Sequence, residues 1–271
     1  MSASEFKTLV DLTRSLAKLT AVSALEMTSK AKTSHIGSCL SVVDLLSACL
    51  LIKSRIEPES KVILSKGHAA AALYAALHHL GELDGQELEN FCSDGSSLYG
   101  HVNHLASSWI PLSTGSLGHG LPFSVGLAIG KQMKKEEGNV YVIVSDGECN
   151  EGTTWESALI GNRFKLTNLK VIIDRNQFQS LGRTEEILPL EPLMEKWKAF
   201  GWTAHVIDGH DIEQILLRIL EPASAPVCVI ADTVKGHGVK FMEEELAWHY
   251  KSPNGNELVE AKIQIESKYV K

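Results

Sequence analysis

Two hydrophobic rhythms alternate along the chain. Short apolar runs that end in turn residues stand at Val62–Leu64, Val140–Val144, Leu169–Asp174, Thr203–Ile207 and Val227–Asp232. Continuous runs of this length, rich in valine and isoleucine, read as strands buried on both faces. Between them, helical patterns cover Phe6–Lys30, Val42–Leu51, Ala69–Leu80, Gly120–Lys134, Thr154–Phe164, Pro192–Phe200 and Ile212–Leu220, with a further helix after Pro253. Strands alternating with helices predict an α/β fold, a parallel sheet sandwiched by helices. No repeat, low-complexity tract or Gly/Ser linker divides the sequence. A single domain over residues 1–271 is expected, with a helical N-terminal segment, 1–60, packed on it.

Two strand ends carry the most chemistry. Val140–Val144 runs into Ser145-Asp146-Gly147-Glu148-Cys149-Asn150-Glu151-Gly152, and Leu169–Ile173 runs into Asp174-Arg175-Asn176-Gln177-Phe178. With a crossover helix between them, Asp146 and Asn176 leave the carboxyl ends of two strands, the edge where open α/β sheets bind ligands. A carboxylate, an amide oxygen and a free backbone carbonyl are hard ligands, suited to Mg²⁺ or Ca²⁺ rather than zinc. Gly147 removes a side chain where a phosphate can approach the following helix N-terminus. The pattern reads as a divalent ion bridging the protein to a diphosphate. Asp-Gly is also a hairpin signal, but Glu151–Phe164 follows as helix where a hairpin requires a strand.

The histidines form a second group. Four of the eleven sit among glycines, serines and aromatics: Ser34-His35-Ile36-Gly37, Ser65-Lys66-Gly67-His68-Ala69, Gly100-His101-Val102-Asn103 and Trp248-His249-Tyr250. His68 follows a strand and opens a helix, so it and the first helical amides face an anion. His78 and His79 are expected mid-helix, with a structural role. A third group, Ser113-Thr114-Gly115-Ser116-Leu117-Gly118-His119-Gly120, lets the backbone approach a flat ligand or another helix. Gly126 and Gly130 fit helix packing equally well. Neither a phosphate-binding P-loop nor a dinucleotide fingerprint is present. Asp208-Gly209-His210-Asp211 reads as a structural turn.

Composition narrows the classes. A 44% hydrophobic content is ample for a core, and a net charge of −7 without a Lys/Arg tract argues against a nucleic-acid surface. Five cysteines without C-x-x-C spacing suit a reducing cytoplasm better than disulfides or zinc. Glu5 and Asp11 stand where a signal peptide has its apolar core. Leu40–Ile52 contains Asp44 and is too short to span a bilayer, so it reads as a buried helix, and no membrane partner is expected.

These motifs, in this order, resemble the fingerprint of thiamine-diphosphate enzymes, and in particular the transketolase family. The resemblance runs from about Leu12 to Asn254 and implies the thiamine-diphosphate-binding fold. It assigns a Mg²⁺ (or Ca²⁺) ion to Asp146, Asn176 and the main-chain carbonyl of Phe178. It places Gly115, Ser116 and Leu117 along the thiamine, and Gly147, Glu148, Asn176, His68 and His249 at the cofactor. It makes His35, His101 and His249 catalytic, with His35 and His101 reaching the hydroxyls and carbonyl of a bound sugar. Histidine suits such work because its pKa lies near neutrality and it both donates and accepts. Asp232–Gly238 resembles the family segment that leads to the histidine matched by His249. The sequence departs from the family pattern at Ser145 (usually Gly), Gln177, His119 (often Gln) and Val102-Asn103 (usually Pro-Glu). No departure removes a metal ligand.

Full-length transketolases have three domains, and this sequence matches the first. The glutamate that acts on the aminopyrimidine ring lies in the second. The resemblance therefore implies the N-terminal subunit of a split transketolase, completed by a C-terminal subunit that carries the pyrimidine-binding domain, in an α2β2 heterotetramer. Faces around Gly115–Gly130 and Val42–Leu51 are expected to lie at that interface. The implied reaction moves a two-carbon ketol unit from a ketose, phosphorylated or otherwise anionic, to an aldose. Two other readings stand beside it: part of a ketol synthase or 2-oxoacid-decarboxylating enzyme, and a non-catalytic regulatory homologue. The four histidines favour the sugar transferase, and intact Asp146 and Asn176 argue against the regulatory role.

Overall fold

A computed structural model describes residues 1–269. Five parallel strands, β1 (Lys61–Leu64), β2 (Val140–Ser145), β3 (Leu169–Arg175), β4 (Thr203–Asp208) and β5 (Val227–Asp232), form one sheet in the order β1-β2-β3-β5-β4. The helices are α1 (Ala3–Ala31), α2 (Ile36–Arg55), α3 (Ala70–His79), α4 (Gly85–Glu89), α5 (Gly120–Lys134), α6 (Gly152–Arg163), α7 (Thr184–Ile187), α8 (Leu193–Ala199), α9 (Ile212–Leu220) and α10 (Gly255–Lys268). The expected α/β sandwich is the fold observed.

Strand alternation divides the interior into two cores. Tyr141 and Ile143 of β2 point to one face, into a cluster built on α1, α2, α3 and α9. Val140, Val142 and Val144 point to the other, against Leu121 and Val125 of α5, Ala158 of α6 and Trp197 of α8. Because both faces are covered, the strands are apolar throughout, as parallel strands must be.

Helix α2 starts at Ile36, ahead of the expected Val42, and every residue from Ile36 to Lys53 is buried. Its small polar residues Ser38, Ser41 and Ser47 mask helical periodicity, because a helix enclosed by protein needs no polar face. It is long and apolar enough to cross a membrane, yet lies wholly within the protein. The Val42–Leu51 face is therefore covered by this chain itself, which corrects the expectation of an interface there. Two short helices, α4 and α7, escape the sequence pattern because one turn carries no period. His78 and His79 stand at the end of α3 rather than within it, and His79 Nε2 lies 2.9 Å from Ser23 Oγ.

Register positions the site. Ser145 pairs with Asp174, and Asp174 with Ala231, so β2, β3 and β5 end level. Crossover helix α6, between β2 and β3, lies on one face of the sheet, and α9, between β4 and β5, lies on the other. The winding reverses between β3 and β5, which is the topological switch point where such sheets bind ligands.

Candidate active site

Around this edge lies a cavity of about 200 Å³ whose lining includes His35, His68, His101 and His249 together with Leu117, Gly147 and Phe178. Each histidine comes from a different connection. His68 lies in the turn after β1 and His249 in the final turn before α10. His101 comes from the loop between α4 and α5. His35 caps α2 with a left-handed backbone, φ 77°. That conformation is uncommon outside glycine and marks a locally imposed geometry. It is held by the His35 amide donating to the His249 carbonyl at 2.9 Å and by the Ser38 and Cys39 amides donating to the His35 carbonyl at 3.0 Å each. His35 is the hub: its ring centroid is 4.9 Å from that of His249, 5.5 Å from His68 and 5.6 Å from His101.

All four imidazoles are held neutral. Burial pulls His35 down to about 4, assisted by His101, Lys235 and Lys66. Burial likewise pulls His249 down to about 3, with Lys235 and His35 adding to the effect. His68 is pushed well down by burial and then by Lys66 and its histidine neighbours, and His101, the most exposed of the four, is lowered by burial alone. Neutral imidazoles offer one donor and one acceptor each, which suits binding and orienting sugar hydroxyls.

The oxygen ligands also converge. Asp146 is buried, with Oδ1 accepting the Gly147 amide at 2.8 Å and Oδ2 accepting the Gln177 amide at 2.8 Å and the Thr184 hydroxyl at 3.0 Å. Burial, then the charge of Asp174, raise its carboxyl to about 6, so the site favours a cation. Asn176 Nδ2 donates to Ser41 Oγ at 3.2 Å, and Asn176 Oδ1 accepts the Phe178 amide at 3.1 Å. No described residue donates to the Phe178 carbonyl.

Beneath these groups is a charged layer that the sequence pattern does not reveal. Lys66 and Asp174 form an ion pair without exposed surface, and Thr233 and Ser41 also donate to the Asp174 carboxylate. Lys235 is equally buried, and its Nζ stands 2.9 Å from His249 Nδ1. No described carboxylate pairs with it. The available signal is an isolated lysine just past the end of a buried strand, in Ser65-Lys66-Gly67 and again in Val234-Lys235-Gly236.

Among the glycine-loop residues, Gly115 and Leu117 line the cavity. A side chain at Gly115 would stand 3.0 Å from the His101 ring, so glycine lets loop and histidine pack together. Ser116 is exposed beside them and is not a lining residue. Glu148 does not meet the cavity. Its fully buried carboxylate accepts from the Ser65 hydroxyl at 2.5 Å, the Ser145 amide at 3.0 Å and the Gly118 amide at 3.1 Å. It ties three segments together beneath the loop, which corrects the expectation of direct cofactor contact.

The donor set fits a metal-bound diphosphate. It combines a carboxylate, an amide oxygen, an unengaged carbonyl and a buried ammonium that lacks a counter-ion. Zinc would call for nitrogen or sulfur ligands at a tetrahedral centre. Asp146, Asn176 and Phe178 would hold the ion, and Lys235, His68 and His249 would face the anion.

Comparisons with known proteins agree with this geometry. The family model described as the thiamine diphosphate binding domain of transketolase matches residues 12–267. One of the paired chains named for an apulose-4-phosphate transketolase, from Actinobacillus succinogenes, is 39% identical over 233 residues, covering 83% of this chain and 84% of that protein. A 6-deoxy-6-sulfo-D-fructose transketolase subunit of Clostridium sp. is 36% identical over 235 residues, covering 83% of this chain and 86% of that protein. The crystal structure of Campylobacter jejuni transketolase superimposes with a TM-score of 0.84 at 26% identity, over 96% of this chain but 43% of that one. The chain belongs to the transketolase family and corresponds to its thiamine diphosphate binding domain.

Proposed function

We propose that this chain is the diphosphate-binding subunit of a thiamine-diphosphate-dependent transketolase, active with a partner that supplies the pyrimidine-binding domain. The observation that carries the reading is the convergence of His35, His68, His101 and His249 on one cavity beside Asp146, Asn176 and the Phe178 carbonyl. When bound, thiamine diphosphate supplies the carbon nucleophile and the electron sink that a ketol transfer requires. Asp146, Asn176 and Phe178 hold magnesium, which bridges to the diphosphate. Lys235 and His68 neutralise and orient that anion. His35 and His101, towards the open end, donate and accept hydrogen bonds at the sugar hydroxyls and carbonyl. His249 lies between the two groups.

The relatives named for apulose-4-phosphate and 6-deoxy-6-sulfo-D-fructose support an anionic ketose as donor. Their description as subunits supports a partner chain, in an α2β2 assembly. Exposed apolar residues on the adjacent helices α5 and α6 and just beyond α6, Phe123, Met133, Leu159, Ile160 and Phe164, support a protein-covered surface there. The unpaired cysteines support a cytoplasmic setting. The test is a ketol-transfer assay on the chain alone, the candidate partner alone and both together. Turnover requires both, and robust turnover by the purified chain alone overturns the reading.

A further inference from the structure

A second polar cluster lies between α2, the turn after β4 and the segment after β5. Asp44 on α2 is 1% exposed, and its Oδ2 stands 2.8 Å from His210 Nδ1. On the other side of the ring, His210 Nε2 accepts the Val234 amide at 2.9 Å. An amide only donates, so Nε2 carries the lone pair and the proton sits on Nδ1, directed at Asp44. Asp44 Oδ1 accepts the Tyr269 hydroxyl at 2.7 Å, and the Lys268 ammonium lies 3.6 Å from Oδ2. His237 stacks on His210 with ring centroids 3.3 Å apart and planes 13° apart. Lone pairs of parallel imidazoles lie in their own planes and do not converge on one ion, and Lys268 already supplies Asp44 with positive charge. The cluster is a hydrogen-bonded post rather than a metal centre.

This post touches the segment that carries Lys235. The flanks of that segment are tied independently, by the Thr233 amide donating to the Arg175 carbonyl at 3.2 Å and the Gly236 amide donating to the Gly37 carbonyl at 2.9 Å. Between them, the Val234 amide has His210 as its partner, and Lys235 is the next residue. We propose that His210 is a positioning residue: anchored on Asp44, it holds the Val234 amide and so sets Lys235 against His249 in the cavity wall. The turn that carries His210 thus reaches the active-site edge through one side chain. The binding readout below rests on the functional reading above, whereas the tautomer does not.

The experiment is calorimetric titration of the assembled complex with thiamine diphosphate at saturating Mg²⁺, for wild type, His210→Phe and His210→Gln. Phenylalanine keeps a ring against His237 and loses both hydrogen bonds. Glutamine keeps one donor and one acceptor. His210→Phe is expected to weaken binding about tenfold, the loss typical when an outer partner of a ligand-holding group is removed. His210→Gln is expected to stay close to wild type. In parallel, ¹⁵N spectra of the histidine-labelled wild-type chain are expected to show His210 protonated on Nδ1. The proposal is overturned by an Nε2-protonated His210, by wild-type affinity in His210→Phe, or by equal losses in both variants. If the wild-type complex takes up no cofactor, the functional reading falls and the tautomer decides the proposal, whether or not His210→Phe folds.

Discussion

Lys235 brings its ammonium nitrogen to 2.9 Å from Nδ1 of His249, a residue of the cavity wall, and no described carboxylate pairs with the lysine. Burial, and then the nearby Lys66 charge, pull Lys235 down to about 8. The protein accepts this cost at one place, the edge where an anion is proposed to bind.

Lys235→Met should therefore separate binding from stability. Thiamine diphosphate affinity in the complex is expected to fall about tenfold or more, since the lysine meets the anion as a charge-assisted donor. In wild type the affinity falls as pH rises above about 8, because the free protein then loses the ammonium that the bound anion favours. The variant shows no such decline. Without cofactor the order reverses. The unfolded lysine keeps its proton up to its ordinary value of 10.5, so wild-type stability rises with pH between about 8 and 10.5. At neutral pH the cofactor-free Lys235→Met variant melts above wild type. Titration calorimetry and thermal melts across pH check both halves.

The buried pair beneath the cavity makes the opposite prediction. Lys66→Met leaves Asp174 without its cation in the interior, close to Asp146. Breaking a buried pair by removing one partner costs about 3–5 kcal/mol. For a chain of this size that lowers the melting temperature by roughly 10 °C. Scanning calorimetry of the cofactor-free protein reads it, and a melting point within a degree or two of wild type contradicts the structural role.

Two of the four histidines should divide by depth. His101 is exposed at the open end, whereas His68 is tucked among Lys66, His35 and His249. His101→Ala is expected to lower kcat/KM for the donor ketose by roughly 10²-fold while leaving cofactor affinity nearly intact. His68→Ala is expected chiefly to weaken cofactor binding. Equal losses for both variants in both assays contradict the division.

Much of this is legible in the sequence for identifiable physical reasons. Strands β2, β3 and β5 stand out because burial on both faces makes them continuously apolar. Asp146, Asn176 and the four histidines stand out because hard ligands and imidazoles follow strand ends or break glycine loops. The start of α2 is hidden because Ile36–Ser41 mixes small polar and apolar residues inside the protein, where no periodicity is imposed. Glu148 is misplaced by its sequence context because its neighbour Gly147 faces the cavity, while its own partners Ser65 and Gly118 come from other segments. Lys66, Lys235 and the Asp44–His210 contact depend on such long-range pairings and leave no local pattern.

The central claim is that Asp146 and Asn176 hold a divalent ion that binds thiamine diphosphate to this chain. It is tested most directly by titrating the assembled complex with thiamine diphosphate at saturating Mg²⁺, for wild type and Asp146→Asn. Asp146 supplies the full charge among the proposed protein ligands, and ion affinity depends on charge count and geometry. The account predicts at least a tenfold loss in the variant, roughly 1.4 kcal/mol or more, and a comparable loss in wild type when Mg²⁺ is withheld. Equal affinity in the two proteins, or cofactor binding indifferent to the ion, would contradict it.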